Sequence, residues 1–552
     1  MRSPNSRRPP WLVQVLAALV VVGVALAIVV ATGSSSTTTT PAKGRWIGSM
    51  FQDDDHLEYA STATVTRTLN TLKSLGVNQI RATVEWKAIA PDPMSRTRPA
   101  GFKAIYPADY SPAAWAPYDR LVELARARGI RVNFDVTAPG PLWANATGAP
   151  ATKYADHWYI SSSEFGQFVQ ALGTRYSGHY TPPGASAALP RVSYWSIWNE
   201  PNQPGWLSPQ WRSSASGPTM EAPVLYRSYA DAAFRALAAT GHRPSTDTIL
   251  IGELAPEGCV AGVPCPYPRT DWAIPPLPFL RALYCLGPTY QPLTGTAAIA
   301  LGCPQSGDAA SFVDANPALF EASGFAHHPY SFFLAPNLSL PNREFVPLSD
   351  LSRLEHAMDS TFAAYHVARR LPIYLTEYGY ETKPNPIRGL RPALQALYLN
   401  EAQYMAWRDP RVITMAQFLL YDSPPNTKYP PSDKYGYWDT FQTGLLYANG
   451  KPKPSFFAYR LPIFLPDPVL EPGRPTLVWA LLRTAPPGSS QRVQIQWRAS
   501  NGGAFRTLDT VSTHSEDVTA LVKVPGPGSV RVQWHSPAGL TQYSRAASVR
   551  AG

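Results

Sequence analysis

Apolar and polar residues follow two rhythms along this chain, and the rhythm changes once. Between residues 46 and 459, short β-rich apolar runs alternate with stretches whose apolar residues recur every three or four positions. The first kind reads as strand, the second as amphipathic helix. Strands are predicted at Trp46–Gln52, Val77–Trp86, Ile130–Ala138, Val192–Glu200, Thr248–Leu254, Gly324–Tyr330, Pro372–Tyr380 and Val412–Tyr421. Helices are predicted between them at Ala63–Leu75, Trp115–Arg128, Ser163–Tyr176, Val224–Ala239, Leu277–Leu286, Leu351–Arg370 and Pro392–Trp407, with a short last one near Pro454–Tyr459. Gly76 and Gly129 stand where helix C-caps belong, just before the next strand. Eight such units predict an α/β fold, a (β/α)8 barrel with long insertions. The insertions (87–114, 257–323, 421–453) mostly follow strands, on the face where such barrels carry their sites.

From about Leu465 the helical rhythm stops. Thr476–Arg483, Gln491–Arg498, Phe505–Val511 and Ser529–His535 read as strands with no helices between them. Val493, Ile495 and Trp497 alternate with Gln494, Gln496 and Arg498, which is the period of a sheet with one buried face. A C-terminal antiparallel β-sandwich is therefore expected over 463–552, after a barrel over 45–462. Asn501-Gly502 makes a hairpin turn between two of its strands.

The N-terminus shows a third pattern. Three arginines in Met1–Pro10 precede Trp11–Ala31, which is nearly all apolar. About 20 such residues suffice to span a bilayer. The expectation is a cytoplasmic tail over 1–10, a transmembrane signal anchor over 11–32 and a Ser/Thr-rich linker over 33–44, with the rest of the chain outside the cytoplasm. A cleaved signal would leave it secreted.

Composition narrows the class. Of 552 residues, 16% are charged and 12% aromatic, including 16 Trp and 28 Tyr, so flat rings are plentiful for cores and for sugar faces alike. The net charge of +10 is scattered rather than blocked, which argues against nucleic-acid binding. Cys259, Cys265, Cys285 and Cys303 all fall in one insertion and read as two disulfides of open pairing. No Cys-x-x-Cys spacing, phosphate loop or Gly-x-Ser-x-Gly elbow occurs, and neither a cofactor nor a metal is expected.

Two stretches carry candidate chemistry. Tyr194–Pro201 (Tyr-Trp-Ser-Ile-Trp-Asn-Glu-Pro) is an apolar strand that ends in Asn199, Glu200 and Pro201. Ile373–Tyr380 has the same form and delivers Glu377. Two carboxyls on strand tips of one barrel face suit glycosidic bond cleavage, where one protonates the leaving oxygen and the other attacks carbon or activates water. Arg81 alternates with the apolar residues Ile80, Ala82 and Val84, which puts it inside the barrel, where it needs an anionic partner.

Trp-Asn-Glu-Pro at strand four, together with Thr-Glu-Tyr-Gly at strand seven, resembles clan A of the glycoside hydrolases. These are the retaining (β/α)8 enzymes that include the cellulase and β-xylosidase-like families. The resemblance covers roughly residues 45–460. It implies Glu200 as acid/base, Glu377 as nucleophile, Asn199 as the partner of the sugar 2-hydroxyl, and Arg81 as support for the nucleophile. His328 and Tyr330, in His-His-Pro-Tyr after strand six, match a His-x-Tyr pattern of those families, lining the sugar site and bonding the nucleophile. Trp438, after strand eight, resembles the ring those enzymes stack under the reacting sugar, and Trp86 at the tip of strand two is a further substrate platform. The implied activity is retaining hydrolysis of an oligosaccharide or polysaccharide. A glycan-binding protein on a silent barrel and a transglycosylase share these residues and stay open, as do the sugar, the linkage and the oligomeric state.

Overall fold

The computed structural model describes residues 45–149, 155–214, 217–263, 265 and 268–552. The expected tail, anchor and nearly all of the linker lie outside these residues. Among the described residues no helix is long and apolar enough to cross a membrane.

Eight parallel strands close into a barrel: β1 (Gly48–Gln52), β2 (Gln79–Glu85), β3 (Arg131–Thr137), β4 (Tyr194–Ile197), β5 (Thr248–Leu254), β6 (Gly324–His327), β7 (Ile373–Leu375) and β8 (Val412–Phe418). They are hydrogen-bonded in chain order, and β8 pairs with β1 to close the ring. The main helices of the outer layer are α1 (Thr62–Ser74), α2 (Pro112–Arg126), α3 (Ser162–Arg175), α4 (Ala222–Ala239), α5 (Pro276–Leu283), α6 (Leu351–Ala364), α7 (Pro392–Arg408) and α8 (Pro454–Arg460). Ser61 caps α1 by accepting from the Thr64 amide, a bond worth about 1 kcal/mol. Gly76 ends the same helix region at φ +78°, and a Cβ there would collide with the Arg483 backbone. Only glycine satisfies both demands.

Alternation along the strands sorts the barrel as expected. Ile80, Ala82 and Val84 of β2 pack in the shell with Phe134 and Val136 of β3. The other parity turns inward. There Leu250, Ala326 and Tyr374 form a small apolar cluster of their own, while Arg81 and Asp135 are buried polar residues; Glu253, of the same parity as the shell residues Ile249 and Ile251, joins them at the register shift between Gly252 and Leu254.

Four strands stop three or more residues short of their predicted C-terminal ends, and a local cause is visible at two of them. β4 stops at Ile197 because Trp198 turns to φ +69°; β8 stops at Phe418 because Leu419 does the same. β6 stops at His327 and β7 at Leu375. These ends leave the ladder to become loops that aim side chains over the barrel mouth.

The C-terminal strands form two antiparallel layers. Ile463–Phe464, Thr476–Leu481 and Asp517–Val522 make one. The other runs Val469–Leu470, Ala547–Ala551, Gly528–His535, Gln491–Ala499 and Arg506–Thr513, with Thr541–Tyr543 on its side; its one parallel pair is Val469–Leu470 with Ala547–Ala551. Val493, Ile495, Val530, Val532 and Trp534 fill the space between. Trp479 packs on Tyr404 and Trp407 of α7 and joins the barrel's own core. The insertion after β5 is tied by two disulfides, Cys259–Cys265 and Cys285–Cys303.

Candidate active site

Glu200 and Glu377 meet over the barrel mouth. A carboxylate oxygen of each, together with a ring nitrogen of His328, lie within 4.8 Å of one another. Both glutamates line one cavity of about 100 Å³ that opens to solvent.

Glu377 follows β7 and is almost immobilised. Arg81 Nη1 donates to its Oε1 at 2.7 Å, and the Tyr330 hydroxyl donates to its Oε2 at 3.0 Å. Arg81 is fully buried. Its Nη1 also donates to Gln52 Oε1 at 2.6 Å. Its Nη2 donates to Asn199 Oδ1 at 2.7 Å and lies 3.0 Å from Asp135 and 3.2 Å from Glu253. Burial pushes the Glu377 carboxyl above its ordinary value, against the pull of His328 and Arg81. Burial likewise keeps Asp135 well above the usual carboxylate range.

Glu200 is placed by a strained turn. It sits at φ +38°, a left-handed conformation that costs a non-glycine residue about 1–3 kcal/mol. Its amide donates to Glu253 O at 3.0 Å, and Glu253 is itself left-handed at φ +50°. The side chain keeps 13% of its surface exposed, so it can exchange protons with water.

His328 joins the acids. Its Nδ1 is 2.9 Å from Glu200 Oε1 and its Nε2 is 2.8 Å from Glu253 Oε2. Burial works against its charge, but Glu377, Glu200 and Glu253 hold the proton up to about 10. Burial also opposes charge on Glu253, yet Arg81 and His328 keep that carboxyl down at about 2. An imidazole with both nitrogens on carboxylates is an imidazolium at neutral pH. Glu200, Glu253 and Glu377 form an ion network around it. His327, its neighbour, points away: Nε2 contacts Val346 O at 2.7 Å, and burial lowers it to about 4.

Of the residues singled out in the sequence, Arg81, Asn199, Glu200, His328, Tyr330 and Glu377 form one connected network. Asn199 is 3% exposed and contributes its Oδ1 to Arg81. Two expectations are corrected. Trp86 is no sugar platform: it is fully buried, stacked on Phe168 at 5.6 Å and edge-on to Trp143 at 5.8 Å. It starts a short helix (Trp86–Ile89) directly after β2, which rolls its ring back into the shell. Trp438 does not line the cavity; it follows the short helix Lys434–Tyr437 with its ring edge-on to Tyr437. The aromatic walls come instead from Tyr330, Phe332, Phe418 and Phe441. Glu253 of β5 and Asp135 of β3 add two buried carboxylates against Arg81. Gln203, Glu257, Glu381 and Arg388 were missed, because they come from loops with no periodicity.

No protein-family model matches the chain, and neither does any curated protein sequence. The chain is similar in structure to a glucosidase from Croceicoccus marinus, at 12% identity and TM-score 0.48, over 92% of this chain and 97% of that one. It is similar to a family 1 β-glucosidase from Thermotoga maritima, at 14% identity and TM-score 0.41, over 71% of this chain and 84% of that one. An exo-β-1,4-mannosidase from Opitutaceae bacterium strain TAV5 is also similar, at 14% identity and TM-score 0.40, over 76% of this chain and 59% of that one.

Proposed function

We propose that this chain is a retaining glycoside hydrolase that acts on oligosaccharides or polysaccharides outside the cytoplasm. The observation that carries the reading is the approach of the two carboxylates, with oxygens within 4.8 Å. Retaining enzymes hold theirs about 5–5.5 Å apart, inverting ones about 6.5–9.5 Å. A gap this narrow leaves no room for a water between the second carboxylate and the anomeric carbon.

Glu377 attacks the anomeric carbon while the bond to the leaving oxygen breaks. Glu200 gives its proton to that oxygen. Glu200, now a carboxylate, takes a proton from water; the hydroxyl attacks the anomeric carbon, and the ester bond to Glu377 breaks. Arg81 and Tyr330 fix the nucleophile's two oxygens, and Asn199 stands beside it on the Arg81 fork. His328 bridges the acid to the buried carboxylate below. The two disulfides support an oxidising compartment, and the apolar run 11–32 supports a membrane anchor that holds the barrel outside.

The test uses 4-nitrophenyl β-glucoside, mannoside, xyloside, galactoside and arabinoside. Wild type is expected to release nitrophenol from one or more, with the anomeric configuration retained by NMR. A 2-deoxy-2-fluoro analogue of the accepted sugar should label the peptide that carries Glu377. Inversion, or a label on another residue, refutes the assignment.

A further inference from the structure

The cavity holds a third acid that the proposed chemistry does not use. Glu257, in the loop after β5, is 5% exposed and lines the same cavity as Glu200 and Glu377. Among the described residues its carboxyl has no hydrogen-bond or ion-pair partner. Its backbone, by contrast, is pinned on every side. Gln203 Nε2 donates to Glu257 O at 3.0 Å. On one flank the Val346 amide donates to Pro256 O at 2.9 Å. On the other, a Cβ on Gly258 would sit 2.5 Å from Pro275 N, so this stretch is packed tight. Next comes Cys259, whose amide donates to Ala273 O at 2.8 Å and whose sulfur is bridged to Cys265. The chain thus fixes the backbone beneath this carboxyl at a cavity wall, which is how a ligand site is prepared.

Arg388 and Glu381, in the loop after β7, line the same cavity. They pair with each other at 3.1 Å, and Asn385 Nδ2 donates to the other Glu381 oxygen at 2.6 Å. Their charges cancel. Burial, with Glu200 pushing the same way and Arg388 opposing, raises Glu257 to about 8. At neutral pH this end of the cavity therefore carries donors and acceptors but little net charge. Pro256 and Phe332 supply apolar wall beside it. That combination fits the hydroxyls and C–H face of an uncharged sugar.

Position says which sugar. Gln203 begins three residues after Glu200, donates its amide to Glu200 O at 2.9 Å, and grips Glu257. Glu257 thus belongs to the acid's side of the cavity. An acid that protonates a leaving oxygen stands beside the leaving group.

We infer that Glu257 lines a leaving-group subsite that hydrogen-bonds the hydroxyls of an uncharged sugar, which makes the chain a cleaver of sugar–sugar bonds in preference to aryl or alkyl glycosides. The inference rests on the reading of Glu200 as the acid.

The test compares Glu257→Ala and Glu257→Gln with wild type on two substrates of the same accepted glycone: the 4-nitrophenyl glycoside and a neutral disaccharide. Glu257→Ala should lose kcat/KM on the disaccharide at least fivefold more than on the nitrophenyl glycoside, and Glu257→Gln should recover part of the difference. An equal loss on both substrates, or none on either, overturns the subsite while leaving the hydrolase reading intact. So does a wild type that prefers a disaccharide with a uronate or amino-sugar leaving unit. A wild type that cleaves neither substrate overturns both readings.

Discussion

Replacing Arg81 with Met removes one charge from a site built around it. The side chain is fully buried, and its guanidinium reaches Glu377 at 2.7 Å, Asp135 at 3.0 Å and Glu253 at 3.2 Å. Met keeps most of the length but leaves Glu253 and Glu377 with His328 as the only cation in direct contact among the described residues, and Asp135 without its Arg81 ion pair. Breaking a buried pair by deleting one partner costs about 3–5 kcal/mol, because a charge stays buried without compensation. The orphaned carboxyls relieve that cost by taking up protons, so their folded pKa values rise. A carboxyl raised in the fold favours the folded state at low pH and loses that contribution as pH rises. The variant should therefore lose more stability at pH 8 than at pH 5. Urea midpoints at the two pH values measure this. Catalysis should suffer in parallel, since a protonated Glu377 is no nucleophile. A fall of about 100-fold in kcat, equal to about 2.7 kcal/mol of barrier, is expected on an activated nitrophenyl glycoside. A stability loss under about 1 kcal/mol that does not change with pH would refute the reasoning, because the carboxyls would then not depend on that cation.

Tyr330→Phe removes one hydrogen bond to Glu377; a bond to a charged group is worth about 1.5–3 kcal/mol, so kcat should fall about tenfold to 100-fold with little change in KM. Trp86→Ala should destabilise the barrel by about 3–5 kcal/mol and leave KM nearly unchanged, since the ring packs on Phe168 and Trp143 and not on substrate; a large rise in KM would restore it as a sugar platform. His328 binds its proton in the fold up to about 10, against an ordinary 6.5, so its contribution to stability is whole below about 6.5 and lost as pH climbs toward 10. Glu257, raised from 4.5 to about 8, slopes the same way across its own window. Thermal scans should show that alkaline decline, and His328→Gln should flatten the part above pH 8.

What the sequence made legible depended on periodicity. Every barrel strand was visible from its apolar run, and β5 matched its predicted ends. Arg81 was placed inside by parity alone. The ends of β4, β6, β7 and β8 were overrun because Trp198, Asn199, Tyr378 and Leu420 are still apolar or buried after the ladder stops. Composition cannot signal a turn made by a non-glycine residue at positive φ, as at Trp198 and Leu419. Trp86 misled for a related reason: an aromatic at a strand tip looks the same whether its ring faces the mouth or rolls back into the shell. Loop residues such as Glu257 and Arg388 obey no period, so only the fold brings them to the cavity.

The two central carboxyls are held in opposite ways, and the difference follows from their tasks. A nucleophile must be ionised and aimed, and Glu377 has a cation on one oxygen and a hydroxyl on the other. An acid that later serves as a base must trade protons with water, and among the described residues Glu200 has one side-chain hydrogen-bond partner, His328. Its aim comes from the backbone instead. Trp198, Glu200 and Glu253 all sit at positive φ, together a cost of roughly 3–9 kcal/mol at about 1–3 each. That cost is offset by bonds the strain itself permits: Trp198 N to Val136 O at 2.9 Å, Glu200 N to Glu253 O at 3.0 Å, and the buried carboxylate of Glu253 to Arg81, His328 and Thr376. Glu253 is thus the hinge between the two halves. Its main chain holds the acid while its side chain pairs with Arg81 and His328, the two cations that touch Glu377, so one buried residue ties the placing of Glu200 to the cations around the nucleophile.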